Sequence, residues 1–177
     1  MKYLKKRYLP EFVYGGIDGS ITTLAVVAGA VGASLSASII LILGFANLLA
    51  DGFSMAVSNY LSNKSESDLH RKHKDSKSFK ITTKKALKKG LATFISFIII
   101  GFIPLFPFVA AIFIPSLDEY KIILSVVFTA IALIIVGSVK GKIVEKSRLK
   151  SSLETLLIGG IAATLAFFVG YFLRGLA

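Results

Sequence analysis

Residues 11–62 read EFVYGGIDGSITTLAVVAGAVGASLSASIILILGFANLLADGFSMAVSNYLS. The stretch is long and apolar enough for two membrane helices joined by a very short turn at Ser34 to Ser36. It also holds the wrong residues for a plain anchor. Asp18 lies in the first helix, and Asp51, Met55 and Asn59 lie in the second. A carboxylate in hydrocarbon costs roughly 2.5 kcal/mol or more even on lenient insertion scales. Two of them in consecutive spans point to a cation, a proton or a metal ion, that offsets the cost.

The rest of the chain follows the same pattern. Of its 177 residues 54% are hydrophobic, before its 15 glycines are counted, and they come in long blocks. That places the chain in the membrane class. The expected fold is all-α and polytopic, a single transmembrane domain over residues 1–177 with five spans at about 11–33, 37–62, 91–114, 120–139 and 153–173. Pro104 and Pro107 predict a kink or break in the third span, because proline removes a backbone donor. Small residues crowd the end of the first span, from Ala25 to Ala33, where they let helices approach closely.

The net charge of +11 raises nucleic-acid binding as a possibility. Its distribution argues against that. Nineteen of the 21 Lys and Arg fall in the N-terminus, the loop 63–90 and the loop 140–152. All three lie on one side of a five-span protein, as the positive-inside rule requires. The N-terminus is therefore expected in the cytoplasm and the C-terminus outside. The basic loops will also attract anionic lipid. Lys5, Lys6 and Arg7 ahead of an apolar run ending in Ala28-Gly29-Ala30 imitate a secretory signal. Glu11 and Asp18 interrupt that run and four more spans follow it, so it is expected to remain as the first span.

The chain has no cysteine, which excludes thiolate metal sites and cysteine nucleophiles. A metal site must use oxygen, imidazole or thioether ligands. No metalloprotease, P-loop, hydrolase-elbow or dinucleotide motif is present, and the chain is not expected to be an enzyme. No resident cofactor is expected either.

Two polar stripes carry the chemistry. Glu11, Asp18 and Thr22 share a face of the first span, with Tyr14 close by. Asn47, Asp51, Met55 and Asn59 recur every four residues on the second, with Ser58 and Ser62 beside them. A short turn keeps the two stripes close together. Carboxylate and amide oxygens with one soft thioether suit Fe(II) better than Mg(II), and carboxylates that lose protons on binding metal can couple ion and proton movement. Blander readings stand beside this one. Asp18 and Asp51 could cap helix breaks at Gly16, Gly19 or Gly52. Met55 could be packing, and Asn47 and Asn59 could be interhelical glue. Glu11 and Tyr14 could be ordinary membrane-interface residues. A weaker cytoplasmic metal candidate is Glu66, His70 and His73, at i, i+4 and i+7; Arg71, Lys72 and Lys74 around it favour a solvated basic surface instead.

The stretches Tyr14-Gly-Gly-Ile-Asp-Gly-Ser-Ile-Thr-Thr23, Asn47-Leu-Leu-Ala-Asp-Gly-Phe-Ser-Met55 and Asn59-Tyr-Leu-Ser-Asn-Lys-Ser-Glu66 strongly resemble the vacuolar iron transporter family, in order and separation. The stretch from Gly137 to Lys142, with the span after it, is similar to the family's last two spans. The resemblance implies five membrane helices and a homodimer with its pore between subunits. It implies export of Fe(II), sometimes Mn(II), from the cytoplasm in exchange for protons. Asp18 and Met55 match the family's central carboxylate and thioether, and Glu11 matches an acidic position two turns earlier, a cytoplasmic-side access or proton site. Some members carry glutamate where this chain has Asn47; here Asp51 can supply that charge. Plant-type members also carry a large glutamate-rich domain between spans two and three. Here that connection is a basic loop of 28 residues, so such a metal-collecting domain is expected to be missing.

The leading expectation is thus a proton-coupled exporter of Fe(II), with Mn(II) as a second cargo and Asp18, Asp51, Met55 and Glu11 as its ligands. Its rivals are a membrane scaffold or regulatory subunit whose polar stripes only hold helices together, and an uncoupled cation channel. The plasma membrane of a prokaryote is the expected location, ahead of an organelle membrane.

Overall fold

A computed structural model describes the backbone of residues 2–72 and 83–176, and the side chains of 8–69 and 83–176. It contains six helices: α1 (Lys2–Gly32), α2 (Ala37–Lys72), α3 (Thr83–Gly101), α4 (Phe106–Phe113), α5 (Lys121–Ile143) and α6 (Arg148–Leu173), with single 3₁₀ turns at Pro115–Leu117 and Arg174–Leu176. No strand occurs among the described residues.

Four helical stretches are long and apolar enough to cross a membrane: Tyr8–Gly32, Ala37–Leu69, Lys121–Ile143 and Arg148–Leu176. The helices α3 and α4 make a fifth crossing if taken together, bent by 52° where Phe102 to Leu105 interrupt them. Pro104 and Pro107 sit at that bend, as the sequence predicts. Its freed backbone is re-satisfied from a neighbouring helix: the Ser125 hydroxyl of α5 donates to the Pro104 carbonyl at 2.6 Å.

The turn between α1 and α2 is closed by the helix-ending pattern of a left-handed residue flanked by two back-bonds. Ser34 has φ 59°, its N–H donates to Val31 O, and Leu35 N–H donates to Ala30 O. The same pattern ends α5, with Glu145 at φ 55° and Lys146 N–H bonded to Gly141 O.

α1 is the centre of the bundle, packed against α2, α3, α5 and α6. One core cluster joins Val27 and Ala30 of α1 to Ile40 and Leu48 of α2, Phe97 of α3, and Leu105 and Phe108 at the bend. A second joins Val13 of α1 to Ile100, Ala132 and Val136. Small residues allow these approaches. A Cβ on Gly19 would lie 2.6 Å from the Phe97 carbonyl oxygen, and one on Gly90 2.6 Å from that of Ala56. The outer faces are apolar, with Leu157, Ile161, Leu165 and Phe172 of α6 exposed. Such a surface suits lipid, not water. The chain is a multi-pass, all-α membrane protein.

Helix ends depart from expectation in one direction. The span expected over 37–62 continues as helix to Lys72, and the one expected from 91 starts at Thr83. Both ends of the expected loop 63–90 are therefore helical. The spans expected to end at 139 and to begin at 153 run to Ile143 and from Arg148. Charged residues end a hydropathic run without ending a helix, since Lys and Arg are good helix formers.

Candidate metal site

The site is built where α1 and α2 lie side by side. Asp18 projects from α1 and is half-buried, as is Asp51 on α2. The two carboxyls are close enough for their charges to act on one another. Among the described residues neither takes a hydrogen bond or an ion pair. Both helices run unbroken past Gly16, Gly19 and Gly52, so neither aspartate caps a helix break there. The Thr22 hydroxyl is turned back onto its own helix and donates to the Asp18 carbonyl at 2.9 Å. It supports the turn that carries Asp18.

Met55, one turn beyond Asp51, has two surroundings. It packs against the core cluster around Phe97 and Leu48. It also lines a cavity of about 400 Å³ with Tyr14, Ser54, Ser58, Asn59, Ser62 and Asn63. The cavity follows the polar stripe of α2 from Met55 toward the basic end of the bundle. Neutral oxygens and one sulfur dominate its lining.

The two asparagines of the stripe differ. Asn59 Nδ2 donates to the Thr93 hydroxyl of α3 at 3.1 Å, and its own backbone and side-chain oxygens accept from Asn63 Nδ2 at 2.7 and 2.8 Å. It is interhelical glue as well as cavity wall. Asn47 is half-buried, and its Nδ2 has no hydrogen-bond partner.

Glu11 is not a free carboxylate. It is 7% exposed, between α1 and α3, and its Oε1 pairs with Lys89 Nζ at 2.7 Å. Its Oε2 is buried and has no hydrogen-bond partner. Tyr14, one turn on, is exposed at the cavity. Glu66 is exposed on α2, whereas the His70 side chain and His73 lie outside the described residues. Among the described residues no three His, Cys, Asp or Glu side chains gather closely enough to hold a metal ion. One chain therefore offers two carboxyls and a thioether, an incomplete ligand set for a transition metal, which takes about four to six donors.

Of the residues the sequence singles out, Asp18 and Asp51 lie within range of each other's charge, and Met55 follows Asp51 by one turn. Sequence reasoning misses Ser54 and Asn63 on the cavity wall, and Lys89 and Thr93 of α3. The available signal was their spacing: Lys89 and Thr93 are i and i+4, one face of a helix.

The VIT family sequence profile matches residues 9–85 and 73–171. The "Vacuolar iron transporter" of Toxoplasma gondii is 28% identical over 225 aligned residues, covering 94% of this chain and 74% of that protein. The one from Plasmodium berghei is 29% identical, covering 97% and 84%. "Vacuolar iron transporter 1" of Arabidopsis thaliana is 27% identical, covering 89% and 82%. The alignment with the Toxoplasma protein is longer than this 177-residue chain, so that relative has additional residues inside the matched region. The two matched segments meet at residues 73–85, between α2 and α3. These relatives are eukaryotic and their names refer to the vacuole, which gives no support to the prokaryotic plasma membrane expected from the sequence. With the profile matching nearly its whole length, this chain belongs to the VIT family.

Proposed function

We propose that the chain is a transporter that moves Fe(II), and as a second cargo Mn(II), out of the cytoplasm in exchange for protons. The observation that carries this reading is the pair of carboxyls, Asp18 and Asp51, which act on one another and pair with nothing else among the described residues, with Asp51 one turn from Met55, a wall residue of the polar cavity. The names of the relatives support iron as the cargo. The positive-inside distribution supports a cytoplasmic location for the cavity end near Asn63.

The chemistry follows from the donor set. Divalent iron loses water to the serine and asparagine oxygens of the cavity. It then binds Asp18, Asp51 and the Met55 sulfur, which favours Fe(II) over harder ions. Binding expels protons from the carboxyls, and protons returning from the far side release the metal. A second copy of the chain, facing the first across this surface, supplies the ligands that one copy lacks. Asn59 fits the scaffold reading equally well, because its amide holds α2 to α3. Asp18 and Asp51 do not, since they hold no helix in place.

The deciding experiment is Fe(II) uptake by proteoliposomes with an imposed pH gradient, wild type beside Asp18→Asn. Gradient-dependent uptake that the variant loses supports the proposal. Uptake indifferent to the gradient points to a channel. Normal uptake by the variant removes Asp18 from the mechanism. Liposomes inert to both Fe(II) and Mn(II) leave the scaffold reading.

A further inference from the structure

Glu11 lies two turns before Asp18 on the same face of α1 and pairs with Lys89 of α3. Glu11 is buried, yet Lys89 satisfies only one of its oxygens; Oε2 remains without a partner. Lys89 is also tied to the cavity wall. The Thr93 hydroxyl donates to the Lys89 carbonyl at 3.2 Å and accepts from Asn59, which lines the cavity with Met55. Cavity wall, lysine backbone and ammonium thus form one connected unit ending on the outermost carboxylate of the α1 stripe.

We propose that Lys89 is a tethered counter-cation that keeps Glu11 from trapping the transported ion. A buried carboxylate alone would hold a divalent cation tightly. Conduction needs outer sites favourable enough to enter and weak enough to leave. The ammonium occupies Oε1 and repels the incoming ion, and Oε2, buried beside it, is not open to the ion while the pair holds. The ion therefore passes Glu11 and settles at Asp18, Asp51 and Met55. The inference rests on the transport reading of that site. Lys89 acts through Glu11, so it is a positioning and selectivity residue.

The chain has no cysteine, so a single thiol can be placed and recharged at will. Mn(II) binding by the full-length protein in detergent is read by electron paramagnetic resonance. Lys89→Cys should bind Mn(II) at least about tenfold more tightly than wild type, a floor well below the full Coulombic effect of removing one unit charge several Å from a divalent ion at an effective dielectric near 20. Treatment with 2-aminoethyl methanethiosulfonate, which restores an ammonium through a mixed disulfide, should return wild-type affinity. Methyl methanethiosulfonate, which adds only a neutral group, should not. The gain should vanish in Glu11→Gln/Lys89→Cys. Lys89→Met, which keeps an apolar stem and removes the charge, is the second variant and should show the same gain. An affinity that is unchanged or weaker in folded Lys89→Cys or Lys89→Met, or equal responses to the two reagents, overturns the proposal, since a structural staple has no reason to respond to charge alone. Wild-type Fe(II) uptake in liposomes is scored separately. If it fails while the Mn(II) shift holds, the transport reading falls and the control of Glu11 by Lys89 stands.

Discussion

At the scale of single residues, the site depends on groups out of place in hydrocarbon. Asp18 and Asp51 stand out in the sequence because nothing apolar around them explains a carboxyl, and among the described residues neither carboxyl has a hydrogen-bond or ion-pair partner. Met55 is harder to judge, because it fills part of the core as well as lining the cavity. Met55→Leu separates the two roles. Leucine has similar volume, so the fold should lose less than about 1.5 kcal/mol. The sulfur is lost, and the ratio of Fe(II) to Mn(II) uptake should fall, because Mn(II) gains less from a soft ligand. Uptake of both ions at an unchanged ratio would make Met55 packing alone. The sequence offers interhelical glue as a role for Asn59 but not its partner, since Thr93 lies 34 residues away on another helix. Lys89 was hidden for another reason. It ends a run of lysines that reads as a solvated basic face, and only the fold shows that this one reaches Glu11.

At the scale of elements, the apolar blocks reveal the four long spans and the bent α3–α4 pair, and the prolines mark the break between α3 and α4. What they cannot reveal is where a helix stops. α2 runs to Lys72 because its polar residues still favour helix once it leaves the lipid. The end at Ser34 matches the turn expected there, whereas the end at Glu145 uses a left-handed residue other than glycine, which gives no sequence signal. The break itself is held by a bond no pattern would show, Ser125 to the Pro104 carbonyl. Ser125→Ala leaves that buried carbonyl unpaired and should destabilise the protein by about 1 kcal/mol or more, read as an earlier thermal transition in detergent. An unshifted transition would mean that the bend is held by packing alone. The contact of α1 with α3 is more exacting. Gly19→Ala sets a methyl group against the Phe97 carbonyl oxygen, where backbone and not a flexible side chain must move. The expected loss is about 1–3 kcal/mol, with Fe(II) uptake falling as well, because Asp18 is carried on the same turn.

At the scale of the whole molecule, the question is how one chain could complete a metal site. Its described residues bring together no more than two carboxyls and a thioether there, and no three acidic or imidazole groups meet anywhere among them. The cavity beside Met55 opens along exposed residues, Tyr14, Ser54, Ser58 and Ser62. Polar groups on an outer face of a membrane bundle are costly against lipid, so that face should meet protein or water. The outer face of α6 is the contrast, an apolar surface suited to lipid. A two-fold pairing across the cavity would cover the polar face, bring two copies of Asp18, Asp51 and Met55 toward one axis, and leave α6 outside. Composition could not reveal this, because an interface lined by serine, asparagine and small residues reads much like the inside of a bundle. The cysteine-free chain makes the arrangement testable. Oxidation of Ser58→Cys in membranes should give a dimer band on a denaturing gel, and Leu157→Cys, on the exposed face of α6, should not. Light scattering of the untreated wild type in detergent should give the mass of two chains. A monomer mass with no cross-link at Ser58→Cys would rule out the shared site. One chain would then have to bind the ion with two carboxyls, a thioether and cavity water, and affinity for Fe(II) should be correspondingly weak.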